Sequence, residues 1–143
     1  MSESAGSSRL KTSQYAYLAV KSETVTAVEI ATAVGLEPDS VLVRGARRPA
    51  PPLPVAHVWA IECRSEGMDL DRQIATVIER IKPHAAELQA LSQRADISVV
   101  LQLVRYFDDD DGQVGILGWQ LGKETLEFLV SVSASIDSDE YGC

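Results

Sequence analysis

The chain has 143 residues, 45% of them apolar and 24% charged, with a formal net charge of −8 and a pI near 4.7. One domain able to bury its own core is expected at this length. A field this negative repels phosphate backbones and anionic lipid, so nucleic-acid and membrane-surface partners are disfavoured and none is expected. Two cysteines, Cys63 and Cys143, make no disulfide framework. No apolar run approaches the ~20 residues that span a bilayer. Met1 to Ser13 is polar and Ser-rich, without the apolar stretch of a secretory signal. The expectation is a cytoplasmic protein with a disordered tail over residues 1–13 and a single domain over 14–143.

In chain order, Tyr15 to Val20 reads as a first strand, aromatic and apolar on both faces. Thr26 and Glu29 have capping-box spacing, so a helix starts there, with Val28, Ile30 and Val34 as its apolar surface. Gly35 suits a left-handed cap and Pro38 stops the helix. Val41 to Val43 is expected as a brief edge strand. Five of the chain's six prolines fall between Pro38 and Pro54, and proline lacks a ladder donor, so Arg44 to Pro54 is expected as an extended surface loop.

His57, Trp59, Ile61 and Cys63 share one face of the next strand. Leu70, Ile74, Val77, Ile78 and Ile81 then follow helical spacing, with Asp71, Arg72, Glu79 and Arg80 opposite. Pro83 is expected to open a second helix carrying Leu88 and Leu91. Ile97, Val99, Leu101 and Leu103 form one face of another strand; its second face, with Val100, Val104 and Tyr106, is mixed. Asp111-Gly112 marks a hairpin turn, with Val114 to Trp119 returning as a strand. Lys123 to Val132 is a last helix with Leu126, Leu129 and Val130 at helical spacing, and Ser135 to Tyr141 a closing edge strand. The order β-α-β-α-α-β-β-α-β gives an α+β fold, a mixed and largely antiparallel sheet with helices packed against it. Thr26-Ala-Val-Glu-Ile echoes Glu124-Thr-Leu-Glu-Phe, which suggests two related halves.

The arrangement resembles a bacterial family catalogued as domain of unknown function 4279. The residues that carry the resemblance are Tyr15-Ala-Tyr-Leu, Glu29-Ile30, the cap Gly35-Leu36-Glu37-Pro38, Gly45, Trp59, Glu62, Pro83, and the terminal Ile136-Asp137 with Tyr141. It covers nearly all of the chain after Ser13. Caps, core residues and turns make up these motifs, so the resemblance implies a fold and no reaction.

No catalytic, cofactor or metal site emerges. An EF-hand loop with Gly112 at position 6 would need ligands at Phe107 and Gly118, which have none to offer. His57 and Cys63 lie roughly 20 Å apart along one strand, beyond the reach of a nucleophile–base pair. Two dispersed histidines lack zinc spacing, and no phosphate loop, dinucleotide fingerprint or nucleophile elbow occurs. Arg48, Pro51 and Pro54 have the spacing of a polyproline ligand. Arg44, Arg47 and Arg48 are the best candidates for holding an anion. Val58, Val100, Val104 and Tyr106 are the candidate interaction face, too apolar to leave in water and expected to be covered by a partner, a second copy or another segment. The expected function is therefore a non-enzymatic binding or protein-interaction module. The alternative is an enzyme of unrecognised type using a carboxylate pocket of Asp137, Asp139 and Glu62.

Overall fold

The computed structural model describes residues 11–108 and 118–142, with backbone alone at 11, 12 and 108. Alternation sets its first element. Ala16, Leu18 and Val20 are fully buried, and the intervening tyrosines project from the other face of β1 (Lys11–Ser22). The strand starts earlier than its aromatic residues suggest. Residues 11–13, expected in the tail, pair by backbone with Asp108, Phe107 and Tyr106 of β6 (Ser98–Asp108). Ladder pairing carries the strand back to Lys11.

α1 (Ala27–Val34) carries both halves of the capping box: Thr26 accepts from the Glu29 N–H, and the Glu29 carboxylate accepts from the Thr26 N–H at 2.9 Å. Gly35 ends it at φ 82°, the left-handed region that a side chain would disfavour. Its buried face is Ala27, Ile30, Ala31 and Val34. Val28, expected on that face, is 76% exposed, because it sits about 100° around the helix from Ala27.

The proline-rich stretch differs from its expectation. It follows β2 (Ser40–Leu42) and folds back as a two-stranded ribbon, β3 (Arg48–Pro49) against β4 (Pro52–Leu53). Bonds from Arg47 N to Leu53 O (2.8 Å) and Gly45 N to Pro54 O (2.9 Å) continue it. The missing proline donors limit each strand to two residues.

β5 (His57–Cys63) leads to α2 (Leu70–Ile81), capped by Asp69, whose side chain accepts the Arg72 N–H at 2.9 Å. Pro83, expected to open the next helix, lies in a one-turn 3-10 joint at Lys82–His84, before α3 (Ala85–Ser92) with Leu88 and Leu91 buried. Trp59, Ile61, Leu101 and Leu103 meet Ile74, Val77 and Ile81 in one apolar cluster. After the undescribed stretch comes α4 (Lys123–Ser131), then β7 (Ala134–Tyr141). Phe128 and Leu129 anchor α4, whereas Leu126 (45%) and Val130 (78%) face outward, contrary to the spacing argument. The Asp111-Gly112 turn and most of Val114–Trp119 lie outside the described residues. Gly118 and Trp119 are not in a strand, and Trp119 packs on the core.

The sheet order is β2-β5-β1-β6-β7, antiparallel at every step except the parallel β6–β7 pair. The fold is thus α+β, a mixed and mostly antiparallel sheet whose core face is covered by helices. β5 and β6 run the same way on either side of β1, so β5–α2–β6 is a split crossover unit. The internal echo is out of register: Thr26 is an N-cap, while Glu124 lies two residues inside α4, which Gly122 caps. Of the two edges, β2 is three residues long, and β7 carries Asp137, Asp139 and Glu140. Like charges on β7 oppose pairing with a second copy.

One ion pair ties α2 to the sheet. Arg80 grips Asp39 through both Nη atoms, Nη2 at 3.1 Å from Oδ1, and Asp39 Oδ2 also accepts the Glu62 N–H at 2.7 Å. The Arg80 hydrogen bonds, with that backbone bond behind them, hold the Asp39 carboxyl below its usual value. A lowered folded-state value means stability fully present above the unfolded carboxylate range, near pH 4, and lost as pH falls through the lower folded value. Thermal melts of the wild type and Asp39→Asn should therefore differ at pH 6 and converge towards pH 2–3. A gap that stays constant across that range would contradict the assignment.

Candidate functional site

Cross-strand register turns the sheet's second face into an ordered surface. Directly opposed residues share a face, so Glu62, Tyr17, Gln102 and Asp137 form one row across β5, β1, β6 and β7. Tyr15, Val104 and Asp139 form the next, followed by Ser13, Tyr106 and Tyr141. All four tyrosines of the chain therefore stand on one face. No helix among the described residues contributes to the small cluster beneath them, Ala19, Ala60 and Val100 flanked by Tyr17 and Val58.

The rings are organised. Tyr15 stacks on Tyr17 at 6.0 Å and Tyr106 on Tyr141 at 5.0 Å between centroids. The Arg64 guanidinium lies 3.7 Å from the Tyr15 ring centre, a cation over a π face. Arg64 Nε also donates to Glu62 Oε1 at 2.8 Å, and this pairing raises the guanidinium's already high value. Burial, helped by Tyr15 and the Asp139 and Glu62 charges, pushes the Tyr17 phenol up. Partial desolvation under its neighbours, with Tyr15 and Tyr141 beside it, also raises the Tyr106 phenol. Both hydroxyls stay protonated at neutral pH and can donate. Gln102, itself buried, donates to Asp139 at 3.1 Å and holds that carboxylate in place.

The interaction face read from the sequence divides in two. Val100 and Val104 are 7% and 5% exposed; neighbouring side chains already remove them from water. Val58 is half-buried and Tyr106 is 46% exposed. The accessible part is thus the tyrosine and carboxylate layer above the valines. Sequence reasoning assigns three of its tyrosines, Tyr15, Tyr17 and Tyr141, to no interaction face, although Tyr15 and Tyr17 alternate with buried Ala16 and Leu18. Period two alone would have placed them together; that Tyr106 and Tyr141 join them depends on strand register.

Arg44, Arg47 and Arg48 lie on the exposed ribbon. Arg44 Nε donates to Val55 O at 2.9 Å and Nη2 reaches Glu23 at 3.7 Å, while Arg48 Nε donates to Pro51 O at 3.1 Å. The Val55 and Pro51 bonds hold the ribbon's own loop, and the Glu23 contact reaches back to the end of β1. The ribbon pairing also gives Arg48–Pro54 a conformation other than an extended polyproline helix.

Glu62 and Asp137 stand at opposite ends of their row. Three strand spacings separate them, about 14 Å, and Glu62 is taken up by Ser40 and Arg64. Asp137, Asp139 and Glu62 do not converge as an acid–base pair would require. Each histidine bonds to backbone, His57 accepting from Arg44 N and His84 meeting Val34 O, both at 3.1 Å. Cys63 is buried beside Ser65 and Met68. Among the described residues no three His, Cys, Asp or Glu side chains stand together in a metal-holding group, and no helix is long and apolar enough to cross a membrane.

Fold and face together define a small α+β domain with helices on one side of its sheet and a tyrosine-lined surface on the other. The chain belongs to the family described as a domain of unknown function (DUF4279), whose model matches residues 11–142. No curated protein and no solved structure matches it.

Proposed function

We propose that the domain is a non-enzymatic binding module that holds a basic protein segment against the tyrosine-lined face. The observation that carries this reading is the gathering of all four tyrosines on one side of the sheet. Tyrosine supplies broad amphipathic contact at little cost in rotamer freedom, which is why it is enriched at interfaces. Charge selects the partner. Glu62 and Arg64 neutralise one another, which among the described side chains of the face leaves Lys21 outnumbered by Asp137 and Asp139, on a protein of net charge −8. Arg64 over Tyr15 is an example, within the molecule, of the contact a partner's arginine would make with the remaining rings. A second copy of the chain would bring the same acidic strand and be repelled.

The test is fluorescence anisotropy with a labelled arginine- and valine-rich decapeptide and its glutamate counterpart. The basic peptide should bind and weaken with added salt. Asp137→Lys, at an exposed position, should reduce its affinity about tenfold, equivalent to ~1.4 kcal/mol. Equal binding of the acidic peptide, or indifference to Asp137→Lys, would overturn the reading.

A further inference from the structure

We infer that the cleft at the Tyr15 end of this face is an anchor pocket for one arginine side chain of that basic segment; the inference rests on the reading above. The cleft measures about 820 Å³ and opens where the loop after β5 turns into α2. Tyr15 and Tyr106 form its aromatic side, Glu66 and Asp69 part of its rim, and Gln73 its floor.

Gln73 is the informative residue. It occupies the buried stripe of α2 between Leu70 and Ile74 and is 0% exposed. Its Nε2 donates to Gln14 O at 2.9 Å and Ser65 O at 3.2 Å, which fixes the orientation of the amide. Oε1 is left buried with no donor among the described residues. A buried acceptor without a donor is unfavourable; this one is sealed from the cleft as it stands, so a side chain carrying N–H groups relieves it only by displacing the Gln73 amide as it seats. Guanidinium and ammonium groups are donors only and bring positive charge.

The electrostatics agree. Among the described residues Arg64 is the one cation lining the cleft, and it is already bound to Glu62 and laid over Tyr15. Glu66 and Asp69 remain in excess. The N-terminus of α2 would otherwise draw an anion, but Asp69 and Asp71 already supply negative charge to its first turn. Arginine fits better than lysine, because a planar guanidinium can both stack on tyrosine and present several donors.

The test uses full-length isotope-labelled protein and three peptides, acetyl-Gly-Val-Xaa-Val-Gly-amide, with arginine, citrulline or norleucine at the centre. Methylguanidinium alone is the fourth probe. The arginine peptide should bind about tenfold more tightly than the norleucine peptide, with citrulline between, and should shift the Gln73 side-chain amide resonance. Glu66→Lys, at an exposed site, should weaken the arginine peptide about fivefold and leave norleucine unchanged. Equal affinities, or an unmoved Gln73 resonance, would overturn the pocket. If Asp137→Lys still weakened the decapeptide then, the wider face reading would survive alone. Methylguanidinium binding as tightly as the arginine peptide would overturn the assignment to a protein segment.

Discussion

Trp59→Ala should lower the free energy of unfolding by about 3–5 kcal/mol, as large-to-small changes at a packed aromatic do. The ring is 0% exposed and meets both the strand and helix sides of the core. Its indole N–H also donates to Leu36 O at 3.1 Å, tying the chain just beyond α1 to β5. Alanine removes that donor and opens a cavity between β5 and the helices. Domains of this kind retain only about 5–15 kcal/mol, so the variant should unfold at markedly lower urea. Val28→Ala is the control: at 76% exposure it should change stability by less than about 0.5 kcal/mol. Urea unfolding followed by circular dichroism measures both, and comparable effects would contradict the packing described for α1 and β5.

Val104→Asp should cost about 3 kcal/mol and leave the molecule's size in solution unchanged while it remains folded. From sequence alone, an aspartate here should alter association, because the valine belongs to a face expected to need a cover. The structure assigns the effect to the single chain. Val104 is 5% exposed and lies in register between Tyr15 and Asp139. A carboxyl there would be desolvated and set beside another carboxylate, and both effects raise its pKa in the folded state. Stability is then retained below the unfolded carboxylate value and lost as pH rises through the raised folded value. The deficit against wild type should be small near pH 4 and full near pH 7.5. A changed elution volume with wild-type stability would instead make Val104 an interface residue.

The core was legible because its signals are local. The α2 stripe, the Thr26 box and the Gly35 cap each depend on spacing within a few residues, and each stands in the structure as expected. What failed depends on neighbours distant in sequence. Val28, Leu126 and Val130 fit a helical pattern, yet the sheet receives Ala27, Ile30, Phe128 and Leu129 instead. The proline-rich stretch gave no sign of the ribbon, since its strands are two residues long. The candidate site was half visible. Tyr106 and Val58 were placed on the right face, but gathering Tyr15, Tyr17 and Tyr141 beside them takes β1 between β5 and β6 and a parallel β7. Gln73 did leave a trace: a polar residue in an otherwise apolar stripe, at the position where α2 meets the cleft.

The most direct measurement is a two-dimensional amide and tyrosine-ring NMR map of the labelled protein during titration with the arginine- and valine-rich decapeptide. Shifts should concentrate at Tyr15, Tyr17, Tyr106, Tyr141 and along Asp137 to Tyr141, leaving the outward side of α1 and the Arg44–Pro54 ribbon still. Shifts confined to the helical side or the ribbon, or none at millimolar peptide, would contradict the proposal that the tyrosine-lined side of the sheet is where this protein works.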